Sequence, residues 1–230
     1  MNKKFSFFII ITIATILSLL IALSSMGFII KKTVNQVTHN ITGTDAEISR
    51  SSLSLITGKA ELKKLMIASP KGSSAPLALK MATAQMKIKP SSVTDDVVII
   101  ENFESDTIEI FWEEKEGRNY REIMKNISEF ATRERGIIED IKSRGLEDEH
   151  KYFALEKMTF TNTKLHFIQG KNITEITIPQ ITLENIGDAK RGASFVDLME
   201  KSFKEIIITC EKHINEHIIS LEKANKTPSN

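Results

Sequence analysis

The sequence predicts an α+β protein: a single N-terminal transmembrane helix followed by a curved antiparallel β-sheet packed with two amphipathic helices. Three observations carry this. Phe5 to Ile30 holds 26 positions without a charged residue. From Asp45 to about Glu114 the apolar residues alternate with polar ones, the period of a half-buried strand. Beyond that, Asn119–Ile141 and Ser194–Asn225 place apolar residues at helical spacing.

Residues 1–32 are expected to form the anchor. A helix of about 20 residues crosses the hydrocarbon core, so the Phe5–Ile30 run is long enough to span with tilt. A cleaved signal peptide ending near Ala22-Leu23-Ser24 is the competing reading. The run exceeds the roughly 7–15 apolar residues of such a leader and continues through Phe28-Ile29-Ile30. Lys3-Lys4 and Lys31-Lys32 flank it equally and leave the charge bias undecided; the short leading tail favours an N-in, body-out arrangement. Residues 33–44 are polar and read as a juxtamembrane linker, 45–225 as the folded domain, and 226–230 as a disordered tail.

The domain opens with two strands hinged at Thr57-Gly58 and closed by a turn at Pro70-Lys71-Gly72. Leu53 and Leu55 alternate with Ser52 and Ser54, and Leu62, Leu65 and Ile67 carry the second strand. Gly58 supplies the backbone freedom of a tight reversal, and Pro70, lacking an N–H, ends the pairing. In Leu77–Lys89 the apolar positions change parity, from Leu77, Leu79 and Met81 to Ala84, Met86 and Ile88, which predicts a bulge near Ala82-Thr83. Val97–Ile110 reads as paired strands, with Ile108, Ile110 and Trp112 on one side.

Asn119 followed by Glu122 has the pattern of a helix cap and capping box. Ile123, Ile127, Phe130 and Ile141 then follow at near-helical spacing, with Gly136 as a point of weakness. Met158–Phe167 and Ile173–Ile186 read as strands meeting at Gln169-Gly170-Lys171, a weak echo of the Gly58-Lys59 reversal. Parity changes again at Pro179, which predicts an edge or bulged strand. The last helix is opened by Ser194 with Asp197 and carries a stripe through Phe195, Leu198, Met199, Phe203, Ile206, Cys210, Ile214, Ile218 and Leu221.

The order of these pieces resembles the opening of an AsmA-like domain, the family that includes bacterial bridge-like lipid-transfer proteins. The residues that carry the likeness are the Leu53–Ile56 run, Gly58, the Leu62–Ile67 strand, the Ser69-Pro70-Lys71-Gly72 turn, Val97–Ile110, and Asn119-Tyr120-Arg121-Glu122-Ile123. The resemblance implies an inner-membrane, single-pass protein with its body in the periplasm, handling phospholipid in an apolar groove. The sheet residues expected to line such a groove are Leu53, Leu55, Leu62, Ile67, Leu79, Met86, Ile108 and Ile110. Six to eight strands about 4.8 Å apart span only about 25–40 Å, too short to bridge an envelope alone. The implied partners are the membrane through Phe5–Ile30, phospholipid, and another envelope protein. The last belongs to an alternative reading, a scaffold that binds through its sheet edge or its C-terminal helix.

Other classes are disfavoured by composition. The net charge is +1, and setting aside Lys3 and Lys4 leaves 29 basic against 30 acidic residues. Such a balance provides no basic stripe for nucleic acid. A single cysteine excludes an internal disulfide and a four-cysteine zinc site. His213-Ile214-Asn215-Glu216-His217 spells H-x-x-E-H, and Cys210 lies one turn earlier. A catalytic metal needs a third protein ligand, and the short remaining tail offers only Glu222 as a carboxylate. Cys210, His213 and His217 are therefore read as part of the helix stripe. No catalytic group and no cofactor is expected.

Overall fold

The computed structural model describes residues 32–54, 56–114, 117–145 and 150–226. Six strands form one sheet in chain order: β1 (Ala46–Ser54), β2 (Lys59–Ala68), β3 (Leu77–Ile88), β4 (Val97–Glu113), β5 (Tyr152–Gln169) and β6 (Asn172–Ile186). Three helices accompany it among the described residues: α1 over residues 32–42, α2 (Arg118–Ser143) and α3 (Phe195–Lys226).

This corrects the expected fold in three respects. The spanning helix over Phe5–Ile30 lies outside the described residues, and no helix among the described residues is long and apolar enough to cross a membrane. The described residues are therefore α+β, with no spanning helix among them. The sheet is mixed, because β4 and β5 pair in parallel while every other neighbour is antiparallel. Its cause is α2: a helical crossover returns the chain to the end where β4 began, so β5 must run the same way. Third, of residues 33–44, expected as linker, 33–42 are helical as part of α1. Val37 and Ile41 of α1 pack against the core, and Asn126 of α2 donates to the Thr42 carbonyl at 2.8 Å.

The strands are joined as the turn chemistry requires. Gly58 sits at φ +67, and a Cβ there would overlap the Ile88 carbonyl oxygen, so the β1–β2 reversal needs glycine on two counts. Val97–Ile110 is not a pair of strands but part of one strand, β4, 17 residues long. The entry to α2 also differs from the expected cap. The helix begins at Arg118 after Gly117 at φ +57, and Asn119 lies inside its first turn. Buried, Asn119 accepts the Glu113 N–H at 3.3 Å and donates to the Phe111 carbonyl at 2.7 Å, which ties the helix start to the end of β4. The α3 cap is as expected: Ser194 Oγ accepts the Asp197 N–H at 3.1 Å.

One line of irregular backbone crosses the sheet. Lys64, Thr107 and Asn162 have φ of 52°, 58° and 51°. The flanking register sets Ser49 opposite Lys64, Lys64 opposite Ala82, Ala82 opposite Thr107, and Asn162 opposite Pro179. On one side of this line the inward residues are Leu65, Leu79, Ile108, Leu165 and Ile178. On the other they are Leu62, Ala84, Phe103, Phe160 and Ile181, with opposite parity along each strand. The parity changes read from Ala82-Thr83 and Pro179 are two points on this one line. The bulge expected near Ala82-Thr83 is not there: β3 shifts register at Ile67/Ala68 against β2 and at Lys87/Ile88 against β4 instead. Positive φ at a β-branched residue costs on the order of 1–2 kcal/mol, so Thr107 is strained. Asp106 beside it is held by Asn162 Nδ2 at 2.7 Å and Thr161 Oγ1 at 2.9 Å, bonds that keep its carboxyl below the ordinary range.

The helices lie over one face. Tyr120, Ile123, Ile127 and Ala131 form the buried stripe of α2, and Leu198, Cys210 and Ile214 that of α3. Trp112 stacks on Tyr120 with centroids 5.1 Å apart, and Tyr120 stacks in turn on Phe203 of α3. A Cβ at Gly117 would strike the Trp112 ring. Arg135 of α2 is gripped by Asp197, at 2.8 Å, and by Glu200 of α3, whose other oxygen accepts from Ser128 at 2.7 Å.

Candidate functional site

The expected groove residues separate into two groups. Leu79, Ile108 and Ile110 are 8%, 1% and 2% exposed and lie in the core beneath the helices, together with Ile123, Ile127, Cys210 and Ile214. Burial there comes from the two helices, α2 over β4 and α3 over β5 and β6. Leu53, Leu62, Ile67 and Met86 are only half-buried, as is Leu65, which the expected set omitted. Leu55 lies outside the described residues.

The half-buried group is continuous. The register sets Leu53 beside Ala60 and Ala60 beside Met86, with Leu62 opposite Ala84 and Ile67 opposite Leu79. These side chains share the helix-facing side of the sheet, because Met86, Leu62, Leu65 and Ile67 all touch core residues. The site is thus an apolar strip along β1 and β2. It runs into the packed core on one side and ends at the open edge of β1 on the other. Along the strand it extends about 25 Å.

The same corner carries a hollow of mixed polar and apolar lining. Its volume is about 530 Å³, and it is lined by the polar residues Lys59, Glu61, Gln85, Lys87, Asn102 and Glu104, by Ser52, Ser54 and Thr57, and also by Leu53, Ala60 and Met86 of the strip. Asn102 and Glu104 line it and Phe103 between them does not, while Leu53, Ala60 and Met86 border it, so the hollow sits at the β1–β2 end of the sheet where the strip meets the outer polar residues. The Asn102 side-chain oxygen there is buried without a partner. Sequence reading missed this feature because it is made by four strands and exists only once their register is known.

The residues of the H-x-x-E-H pattern are arranged as helix packing. Cys210 is fully buried, and burial pushes its thiol up to about 12, so it is neither a thiolate nucleophile nor a ready metal ligand at neutral pH. His213 places Nδ1 2.9 Å from the Thr209 carbonyl, one turn back in the same helix. Among the described residues no three His, Cys, Asp or Glu side chains converge to hold a metal ion. The buried Tyr120 hydroxyl donates to the Ala78 carbonyl, and burial, with Cys210 nearby, raises it well above 10.0. On the outer face His166 stacks on Phe111 and lies 3.4 Å from Glu109. Glu109 is held below its usual range by the Lys80 ammonium, 2.6 Å away.

A scan against protein-family models finds no match to the chain, and a search of curated proteins finds no relative.

Proposed function

We propose that the protein is a non-catalytic lipid-handling module of the bacterial envelope, AsmA-like in character, that takes an acyl chain onto the β1–β2 strip. The observation that carries the reading is that Leu53, Leu62, Leu65, Ile67 and Met86 form a contiguous apolar surface left half-covered beside a well-packed core. Burying methylenes there contributes about 0.8 kcal/mol each, so a dozen of them would contribute on the order of 10 kcal/mol before ordering costs. Assistance in phospholipid transport or envelope assembly, and an inner-membrane location, follow from the family resemblance. Leu65→Glu in the full chain is expected to remove lipid that co-purifies with the wild type, measured by mass spectrometry, while leaving the fold intact. Wild-type protein free of lipid, or a variant that retains it, would refute the reading.

A second reading, a scaffold for another envelope protein, is favoured by a different observation. Leu79, Ile108 and Ile110 are already covered, so the strip is short, whereas no strand among the described residues pairs with the outer edge of β1. Retention of one protein in stoichiometric amount with no lipid would decide for it.

A further inference from the structure

The two edges of the sheet are unlike. β6 carries Pro179 near its middle, which removes a donor and discourages further pairing, and α3 packs against it. β1 has neither proline nor glycine along Ala46–Ser54; one side pairs with β2, no described strand pairs with the other, and the Ala46 N–H is held by Asn35 Oδ1 at 3.0 Å. An open edge of this kind is a template for another strand.

We propose that β1 pairs antiparallel with β1 of a second copy of this chain, in the register that sets Glu47 opposite Arg50. Two independent observations select this occupant and this register. The first is charge. Glu47 and Arg50 are both exposed, and neither has an ion-pair partner among the described residues. Both point to the outer face: Glu47 is aligned through Met66 with Lys80, and Arg50 through Lys63 and Thr83 with Asp106. Within its own sheet Arg50 stands beside Lys63, a like charge, so its vacant side favours a carboxylate. The two-fold axis supplies that carboxylate twice, Glu47 to Arg50 in each direction. A register centred on Arg50 would instead oppose two guanidinium groups.

The second observation is the irregular line across the sheet. It reaches β1 at Ser49, opposite Lys64. In the proposed register Ile48 and Ser49 face Ser49 and Ile48 of the second copy, so the line continues across the junction. Ala46 then meets Ser51, both on the inner side. This pairing also sets the open end of the apolar strip against its own copy, and it does not depend on lipid binding.

The contact is short, so association is expected to be weak and concentration-dependent. Sedimentation velocity of the full chain in detergent, over a concentration series, tests it. The wild type is expected to pass from monomer to dimer. Glu47→Arg alone, and Arg50→Glu alone, should each weaken the dimer about tenfold, and the double variant should restore it. Both sites are exposed, so unchanged melting curves identify the effect as association. A wild type that stays monomeric, singles that dimerise like the wild type, or a double variant that stays monomeric would each overturn the proposal.

Discussion

The β3–β6 part of the sheet and its β1–β2 part have similar strand composition and different surroundings. Ile110 and Leu62 are both aliphatic residues on the helix-facing side, yet Ile110 is 2% exposed and Leu62 is half-buried. The difference comes from the helices. α2 and α3 reach β4, β5 and β6, and among the described residues the short α1 adds Val37 and Ile41 to the core. An apolar parity in a strand therefore specifies a face but not its cover. What finally buries a residue, or leaves it available to a ligand, is the path of a helix encoded far away in the chain.

The largest expected effect comes from placing one charge in each part. Ile110→Glu buries a carboxylate without a partner and should cost about 4 kcal/mol, enough to unfold a marginal domain. Leu62→Glu can reach water and should cost about 1 kcal/mol. Denaturant melts of the two variants that coincide would erase the contrast.

A smaller effect concerns the clasp that holds the helices over the packed part. Burial alone would raise the Asp197 carboxyl, but the Ser194 hydroxyl and the Arg135 guanidinium outweigh it and hold it below its ordinary 3.8. A depressed carboxyl contributes stability above that ordinary value and loses it as pH falls toward the folded one. Acid melts should therefore show Asp197→Asn less sensitive than the wild type below about pH 4. Arg135→Ala should cost about 1 kcal/mol or less, since the guanidinium is 45% exposed. Equal acid sensitivity of Asp197→Asn and wild type would remove the clasp from the account.

The smallest effect has the opposite sign. Thr107 holds a left-handed conformation in mid-strand, so Thr107→Gly should release strain and gain about 0.5 kcal/mol after the entropy of glycine is offset. A loss instead would mean that the hydroxyl and methyl contribute more than the backbone costs.

Much of the fold was legible in sequence. The Gly58 reversal, the Gln169–Lys171 turn, the Ser194 cap and the parity changes at Ala82-Thr83 and Pro179 are local, and each was readable from a few neighbouring residues. The parallel pairing of β4 and β5 was legible in principle from the strand–helix–strand order but needed α2 to be read as a crossover. Asn119 misled because its neighbours imitate a cap while its side chain serves the end of β4. Three groove residues, Leu79, Ile108 and Ile110, had the right face and an unreadable cover, since covering is a long-range property of packing. The hollow needed four strands in register.

Hydrogen exchange of the full chain, resolved by strand, tests the contrast most directly. Amides of β4 and β5 should exchange only through global unfolding, while those of β1, at an open edge beside a half-covered strip, should exchange orders of magnitude faster through local opening. Equal protection across all six strands would contradict the claim that the β1–β2 part stands uncovered.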